Sequence, residues 1–432
     1  MLKPALKYVW RNFGIRDKYL DVKYQALLKE WHLDKTAPAW PRSEGDPVVL
    51  IIPPDPALLI ASKGDEAMIS VTLAHFRNQW PNVRFLVATA GDEADANARR
   101  LDTEPVRVLD EPLSLRQSLA LLQGRNLRSC VTIGADVLDG SYSQAFSGKL
   151  LMLTGMLARR GVETIVTGFS VSERPYPKLR FLLDEFSDNV VFNLRDPVSF
   201  SRFKMLTGAR ASLVADVAFL LQPQHDSEAA RAARLWCDGQ HAAGRKVIGL
   251  NLHPLLLDLK ERHNIHRVVA NFIQVARGMI HRHDVSVVLL DHDFRGDSAD
   301  YHCLDQVELE LREELPERVF RSPARLSAAE LKAVASYLDG IVSGRMHLMI
   351  ASCGAGTPVF GIEYKGKMGG LMKHFQLDVA HLSNAAEIMD VPEAFSFKLD
   401  RFLDNLDLCR QQLLDNSAEI HRLASLNFAH LS

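Results

Sequence analysis

From Pro47 to Leu377 short apolar runs rich in β-branched residues alternate with stretches whose apolar residues recur at helical spacing. No other feature constrains the fold as tightly, because strands joined by helical crossovers run parallel and need helices on both faces of their sheet. The runs VVLIIP, VRFLVATA, VRVLDE, SCVTIG, VETIVTG and VVFNLRD, with one more short strand expected over residues 214–220, outline a first sheet. A charged, Ala-rich segment interrupts the rhythm, and KVIGLNLHP, VSVVLLDHD, ERVF, DGIV and VFGI outline a second. The spacing therefore predicts an α/β protein of two Rossmann-like domains facing a cleft, a favoured place for a small-molecule site. Five segments follow: a basic amphipathic extension over 1–45, an N-terminal Rossmann-like domain over 46–222, a linker helix over 223–245, a C-terminal Rossmann-like domain over 246–384 and a helical segment over 385–432.

At 432 residues the chain exceeds what one compact core usually organises, which agrees with two domains. A formal net charge of −2 argues against a nucleic-acid binder, which would carry a strongly basic face. Cys130, Cys237, Cys303, Cys353 and Cys409 lie far apart, without metal-binding spacing, so reduced thiols and a cytoplasmic setting are expected. Neither a membrane-spanning run nor a signal-peptide core is visible. The first 45 residues mix Lys and Arg with Leu, Tyr, Trp and Phe. They read either as a helix docked on the body, for which the acidic residues interrupting the basic face speak, or as a peripheral contact with the inner face of a membrane.

Chemistry concentrates between Leu338 and Leu377. Ser343-Gly344-Arg345-Met346-His347 follows a strand and opens a helix, a place where unpaired backbone N–H groups favour an anion. Arg345 adds a planar fork for phosphate or carboxylate, and His347 can exchange a proton near neutral pH. The plain alternative is a capping Ser343 with two solvated neighbours. Gly354, Gly356 and Pro358 can be a simple helix stop. The following loop crowds Lys365, Gly366, Lys367, Gly369 and Gly370 at a helix start, with Lys367 the expected phosphate contact or a solvated lysine. Asp291, His292 and Asp293 end a strand with Asp297 nearby; their spacing suits polar lining of a cleft better than a metal, and no metal is expected. Asn251 and His253 at another strand exit are candidate substrate contacts. Asp136 and Asp139 suit sugar hydroxyls or a helix cap.

Ser343-Gly344-Arg345-Met346-His347, then Gly356-Thr357-Pro358 and Tyr364-x-x-Lys367, resembles the C-terminal signature of the polysaccharide pyruvyl transferase family. Gly64-Asp65-Glu66-Ala67, Leu194-Arg195-Asp196 with Ser199, and Ala215-Asp216 with Phe219 resemble its earlier motifs in the right order, so the likeness spans about residues 48–380. Two positions depart from the family's pattern: Ser62 stands where Asn is usual, and Gly134-Ala135-Asp136 replaces a glycine run.

The resemblance implies two Rossmann-like domains in the glycosyltransferase B arrangement, acceptor on the N-terminal side and donor on the C-terminal side. It implies transfer of the pyruvyl group of phosphoenolpyruvate onto sugar hydroxyls of an exopolysaccharide or its lipid-linked precursor, forming a ketal, with no cofactor beyond this co-substrate. It further implies His347 as the catalytic acid/base, Arg345 as a phosphoenolpyruvate contact and Arg195 as a second; Lys367 joins them from the residues themselves. Asp65, Asp136, Asn251 and His292 are the expected lining of the cleft or acceptor side. A nucleotide-sugar glycosyltransferase and a non-catalytic sugar-binding relative are the competing readings.

Overall fold

The computed structural model describes residues 15–41, 45–258, 260–364 and 366–431. The first 14 residues of the basic extension and Lys365 lie outside the described residues. Contacts divide the chain into two units: one takes residues 1–59, 73–214 and 426–432, the other 60–72 and 215–425.

The first unit contains a sheet of β1 (Val48–Ile52), β2 (Arg84–Ala88), β3 (Glu104–Val106), β4 (Leu127–Ala135), β5 (Glu163–Phe169), β6 (Val191–Leu194) and β7 (Ala211–Leu213). Its spatial order is β3-β2-β1-β4-β5-β6-β7, with parallel pairing throughout. β1 is buried along its whole length, as a strand covered by helices on both faces must be. The helix Gln144–Arg159 is buried over most of its turns, and Gly155 has a particular reason to be there: a Cβ would stand 2.5 Å from the ring of Trp31.

Trp31 and Tyr24 come from the helix Ile15–Leu33, and both are fully buried in the first unit's core. Trp31 Nε1 also donates to Glu185 at 2.6 Å. The described part of the extension is therefore docked on the body through two aromatic anchors. Among the described residues no helix is long and apolar enough to cross a membrane.

The expected strand over 214–220 is corrected. β7 stops at Leu213, and Val217–Leu220 forms a single 3₁₀ turn. Asp216 is the cause, since its Oδ1 accepts from Ala218 N at 2.9 Å and offers the backbone a local alternative to the ladder. Arg195-Asp196 and Ser199 likewise have a structural basis: Asp196 caps the helix Pro197–Leu206 by accepting from Ser199 N at 2.8 Å.

In the second unit β8 (Val247–Asn251), β9 (Ser286–Leu289), β10 (Val319–Arg321), β11 (Gly340–Ser343), β12 (Val359–Glu363) and β13 (Leu382–Asn384) form a parallel sheet in the order β10-β9-β8-β11-β12-β13. The segment read as a linker holds the helix Glu228–Ala242, whose Ala233 and Cys237 pack with Val247, Val288 and Ile341. Helices Ala385–Asp390, Pro392–Asp404 and Leu406–Ser425 follow the sheet. Residues 426–431 return to the first unit, where Asn427 accepts from Gly168 N at 2.8 Å and Phe428 stacks on His75.

Candidate active site

Strand order reverses between β8 and β11, and in open parallel sheets ligands bind outside the carboxyl ends at such a switch point. Ser343 pairs with Asn251, so the loops after these two strands leave the sheet together. Ser343 Oγ accepts from Arg345 N at 2.9 Å, which turns the chain into the helix Met346–Gly354.

Arg345 is 4 % exposed, and its fork is spent on the protein. Nε and Nη2 donate to Asp300 Oδ1 at 2.9 and 2.6 Å, Nη2 also to Ser298 O at 2.6 Å, and Nη1 lies 3.1 Å from Asp293 Oδ2. Arg345, expected as a phosphoenolpyruvate contact, has its guanidinium hydrogen-bonded and ion-paired to groups of the protein in this structure. Asp300, which sequence reasoning passed over, is the hub: its Oδ2 accepts from Asn251 Nδ2 at 2.8 Å, His292 N at 2.8 Å and Asp293 N at 3.2 Å. Burial pushes the Asp300 carboxyl up to about 6, against the pull of Arg345. Burial also works against Asp293, but the hydrogen bonds of Arg295 and the charge of Arg345 hold it below the ordinary carboxylate range.

Asn251 is thus engaged in orienting Asp300. His253 is committed too: Nε2 donates to Gly344 O at 2.8 Å, which leaves Nδ1 to accept from Leu255 N at 3.1 Å. Burial, with Arg345 nearby, keeps its pKa well below the usual histidine value. Asp291 receives a bidentate pair from Arg321 at 2.7 and 2.8 Å. Among the described residues no cluster of three or more His, Cys, Asp or Glu is arranged to hold a metal.

His347 occupies the first turn of its helix, with Nε2 3.5 Å from Asp216 Oδ2. The 3₁₀ turn described above therefore has a second consequence, because the oxygen not used as its cap faces the imidazole. Against the other side of His347 lies Gly64, where a Cβ would be 2.4 Å from the ring. The helix Lys63–Gln79 thus has glycine in its first turn, where the histidine needs the space. Lys63, another residue unmarked in the sequence reading, places Nζ 2.7 Å from Glu66 and donates its backbone N–H to His292 O at 3.0 Å. Lys63, His292 and His347 line a small pocket with Ala67, Ala218 and Leu348 among its apolar walls.

Gly64→Ala is expected to push the imidazole out of register with Asp216. Overpacking of this kind costs about 1–3 kcal/mol. Activity should fall further than the melting temperature alone accounts for, and a variant with wild-type turnover would remove Gly64 from the site.

Asp65 is buried with Arg295 Nη1 at 3.6 Å, in the second unit. Lys367 is 7 % exposed at the start of the helix Met368–His374, whose Met368 N and Gly369 N donate to Glu363 Oε1. Arg195 and Asp136 belong to the first unit: Arg195 Nε donates to Ser170 Oγ at 2.7 Å, and Tyr142 donates to Asp136 Oδ2 at 2.8 Å. Asp139 closes a turn by accepting from Ser141 N and Ser172 N.

Two parallel sheets of this kind, each covered by helices, are the two-domain fold class to which glycosyltransferases of the B type and UDP-GlcNAc 2-epimerases belong. The UDP-GlcNAc 2-epimerase of Neisseria meningitidis bound to UDP-GlcNAc superposes with a TM-score of 0.56 at 9% identity, over 90% of this chain and 99% of that one. A putative UDP-N-acetylglucosamine 2-epimerase of Listeria monocytogenes gives 0.55 at 10% identity, over 88% and 94%. A glycosyltransferase of Rickettsia africae ESF-5 gives 0.54 at 9% identity, over 90% and 100%. At such identities the likeness is one of fold. No relative is found among curated protein sequences.

The sequence model of the polysaccharide pyruvyl transferase family matches residues 63–366. The chain belongs to that family.

Proposed function

We propose that this protein transfers the pyruvyl group of phosphoenolpyruvate onto two hydroxyls of a saccharide, either an exopolysaccharide unit or its lipid-linked precursor. Family membership supports the transferase class, and one observation carries the chemistry: His347 stands at a strand-to-helix turn between a buried carboxylate, Asp216, and a pocket edged by Lys63 and His292. Ketal formation needs protonation of the methylene carbon, attack by a hydroxyl at C2, loss of phosphate and attack by a second hydroxyl. A positioned acid/base typically contributes about 10² to 10⁴ in rate to such proton transfers. Asp216 fixes the imidazole and offers a counter-charge when His347 carries a proton. Lys63 and Lys367 are the cations assigned to the donor's phosphate and carboxylate. Arg345 acts one step removed, by holding Asp293, Asp300 and the β8 and β9 loops in place.

Thermal stabilisation by ligands tests this reading. Phosphoenolpyruvate at 100 times its Kd should add about 2.7 kcal/mol to stability. Uridine diphosphate and nucleotide sugars should add nothing. Stabilisation by the nucleotides and not by phosphoenolpyruvate would transfer the protein to the glycosyltransferase reading. Binding without phosphate release from any acceptor would leave a sugar-binding relative.

A further inference from the structure

His292 has no task in the chemistry proposed so far. It is 4 % exposed, and its Nδ1 is sealed from solvent without a hydrogen-bond partner. Leaving a buried polar atom unpaired is unfavourable, because the group loses its water without gaining a partner. The cost is built in rigidly, since the His292 backbone is fixed at both ends: N–H donates to Asp300 Oδ2 at 2.8 Å, and the carbonyl accepts from Lys63 N at 3.0 Å. Its ring lies nearly parallel to that of His347, at 11° and 6.4 Å between centroids, and both rings line the same pocket.

The two imidazoles differ in their surroundings. His347 faces the Asp216 carboxylate, whereas the charged groups around His292 are mainly cations: Arg345, Lys63 and Arg295 as well as His347 itself. The nearby carboxylates, Asp293 and Asp300, are engaged by the two arginines. Burial first, and then these cations, keep the His292 pKa well below 6.5. An acid and a base working in concert need distinct surroundings, and here a carboxylate stands beside one imidazole while cations surround the other.

We infer that His292 is a second catalytic residue of the proposed reaction, the neutral base that takes the proton of the first attacking hydroxyl while His347 delivers a proton to the methylene carbon. This assignment rests on the pyruvyl-transfer reading. In the first half the π pair of C2=C3 bonds the proton leaving His347, and the hydroxyl oxygen bonds C2. The O–H bond breaks onto His292. His347 is then neutral and His292 an imidazolium. In the second half the C2–O bond to phosphate breaks, and that oxygen receives the proton of His292. The second hydroxyl bonds C2 and loses its proton to His347. Both residues regain their starting forms, and the products are the ketal and hydrogen phosphate. The two hydroxyl protons are accounted for, one ending on the methyl group and one on the phosphate.

The test compares wild type, His292→Gln and His292→Asn. Phosphate release from phosphoenolpyruvate with p-nitrophenyl hexosides as acceptors is followed from about pH 5 to about pH 9, alongside donor affinity by calorimetry and melting temperature. An amide can occupy the space and make hydrogen bonds but cannot carry the proton. Both variants should keep donor affinity within about twofold, fold normally and lose about 10² in turnover across the range, because neither amide takes up the hydroxyl proton. Rescue of turnover by Gln, or a loss of turnover that only tracks a loss of melting temperature or donor affinity, would reduce His292 to a structural role and overturn the inference alone. Failure of the wild type to bind phosphoenolpyruvate would overturn the pyruvyl-transfer reading and this assignment with it.

Discussion

Replacing His347 by Ala is expected to lower turnover by about 10² to 10⁴ while leaving donor binding and folding nearly intact. The ring is partly open to its pocket, so its removal takes away little of the buried core. His347→Gln should be no better, because an amide reproduces the shape and the hydrogen bond but exchanges no proton at neutral pH. A histidine that merely packs beside Gly64 would behave differently, with Ala lowering the melting temperature and Gln restoring both stability and rate. Asp216→Asn separates the partner's two duties. Asn caps a turn about as well as Asp, so the 217–220 turn should survive, but the charge facing Nε2 is gone. The expected result is a near-normal melting temperature with turnover reduced by about tenfold or more, relative to the broad range seen for acid/base groups. Phosphate release measured with an acceptor that supports wild-type turnover decides between the two accounts. Wild-type rates in His347→Gln would remove the histidine from the chemistry.

That prediction was partly legible in the sequence, and the limits are instructive. The alternation of strands and helices marked both sheets because a parallel sheet requires buried strands and crossovers, a demand met within each local stretch. The turn from Ser343 to His347 was visible for the same reason, since its chemistry is written in five consecutive residues. What the turn touches was not. Gly64 matters because the ring of His347 comes from far along the chain to lie where its side chain would be. Asp300 sits in the stretch Gly296-Asp297-Ser298-Ala299-Asp300, which reads as an ordinary polar loop, yet it binds Arg345, Asn251 and the His292 backbone together. The strand expected over residues 214–220 failed because apolar run and propensity were weighed without the Asp216 side chain competing for the backbone. Arg345 shows the same limit in a charged group. An arginine after a strand at a glycine suggests an anion site, but the sequence does not say whether the anion is a ligand or, as here, two carboxylates of the protein.

Arg345→Met should therefore register first in stability. The substitution leaves Asp300, fully buried, without its guanidinium, and it removes one of the two arginines serving Asp293. Breaking a buried pair by deleting one partner typically costs about 3–5 kcal/mol. Arg345→Lys should recover only part of it, since a single ammonium cannot meet Asp300, Asp293 and the Ser298 carbonyl in one plane. The pH dependence identifies the cause. The Asp300 carboxyl, at about 6, lies above its unfolded value of 3.8. Its contribution to stability is therefore fully present below the unfolded value and is lost as pH rises through about 6. Arg345 acts against that rise, so its loss moves the Asp300 pKa further up and extends the decline to higher pH. The gap in melting temperature between wild type and Arg345→Met should be narrow near pH 5 and widen towards pH 8, because in the variant the buried carboxylate must ionise without its cationic partner. Denaturant unfolding of both proteins across that range measures it. A gap independent of pH would mean that the lost stability comes from packing of the arginine stem, and Asp300 would no longer be the hub that positions His292 and the loop carrying His347.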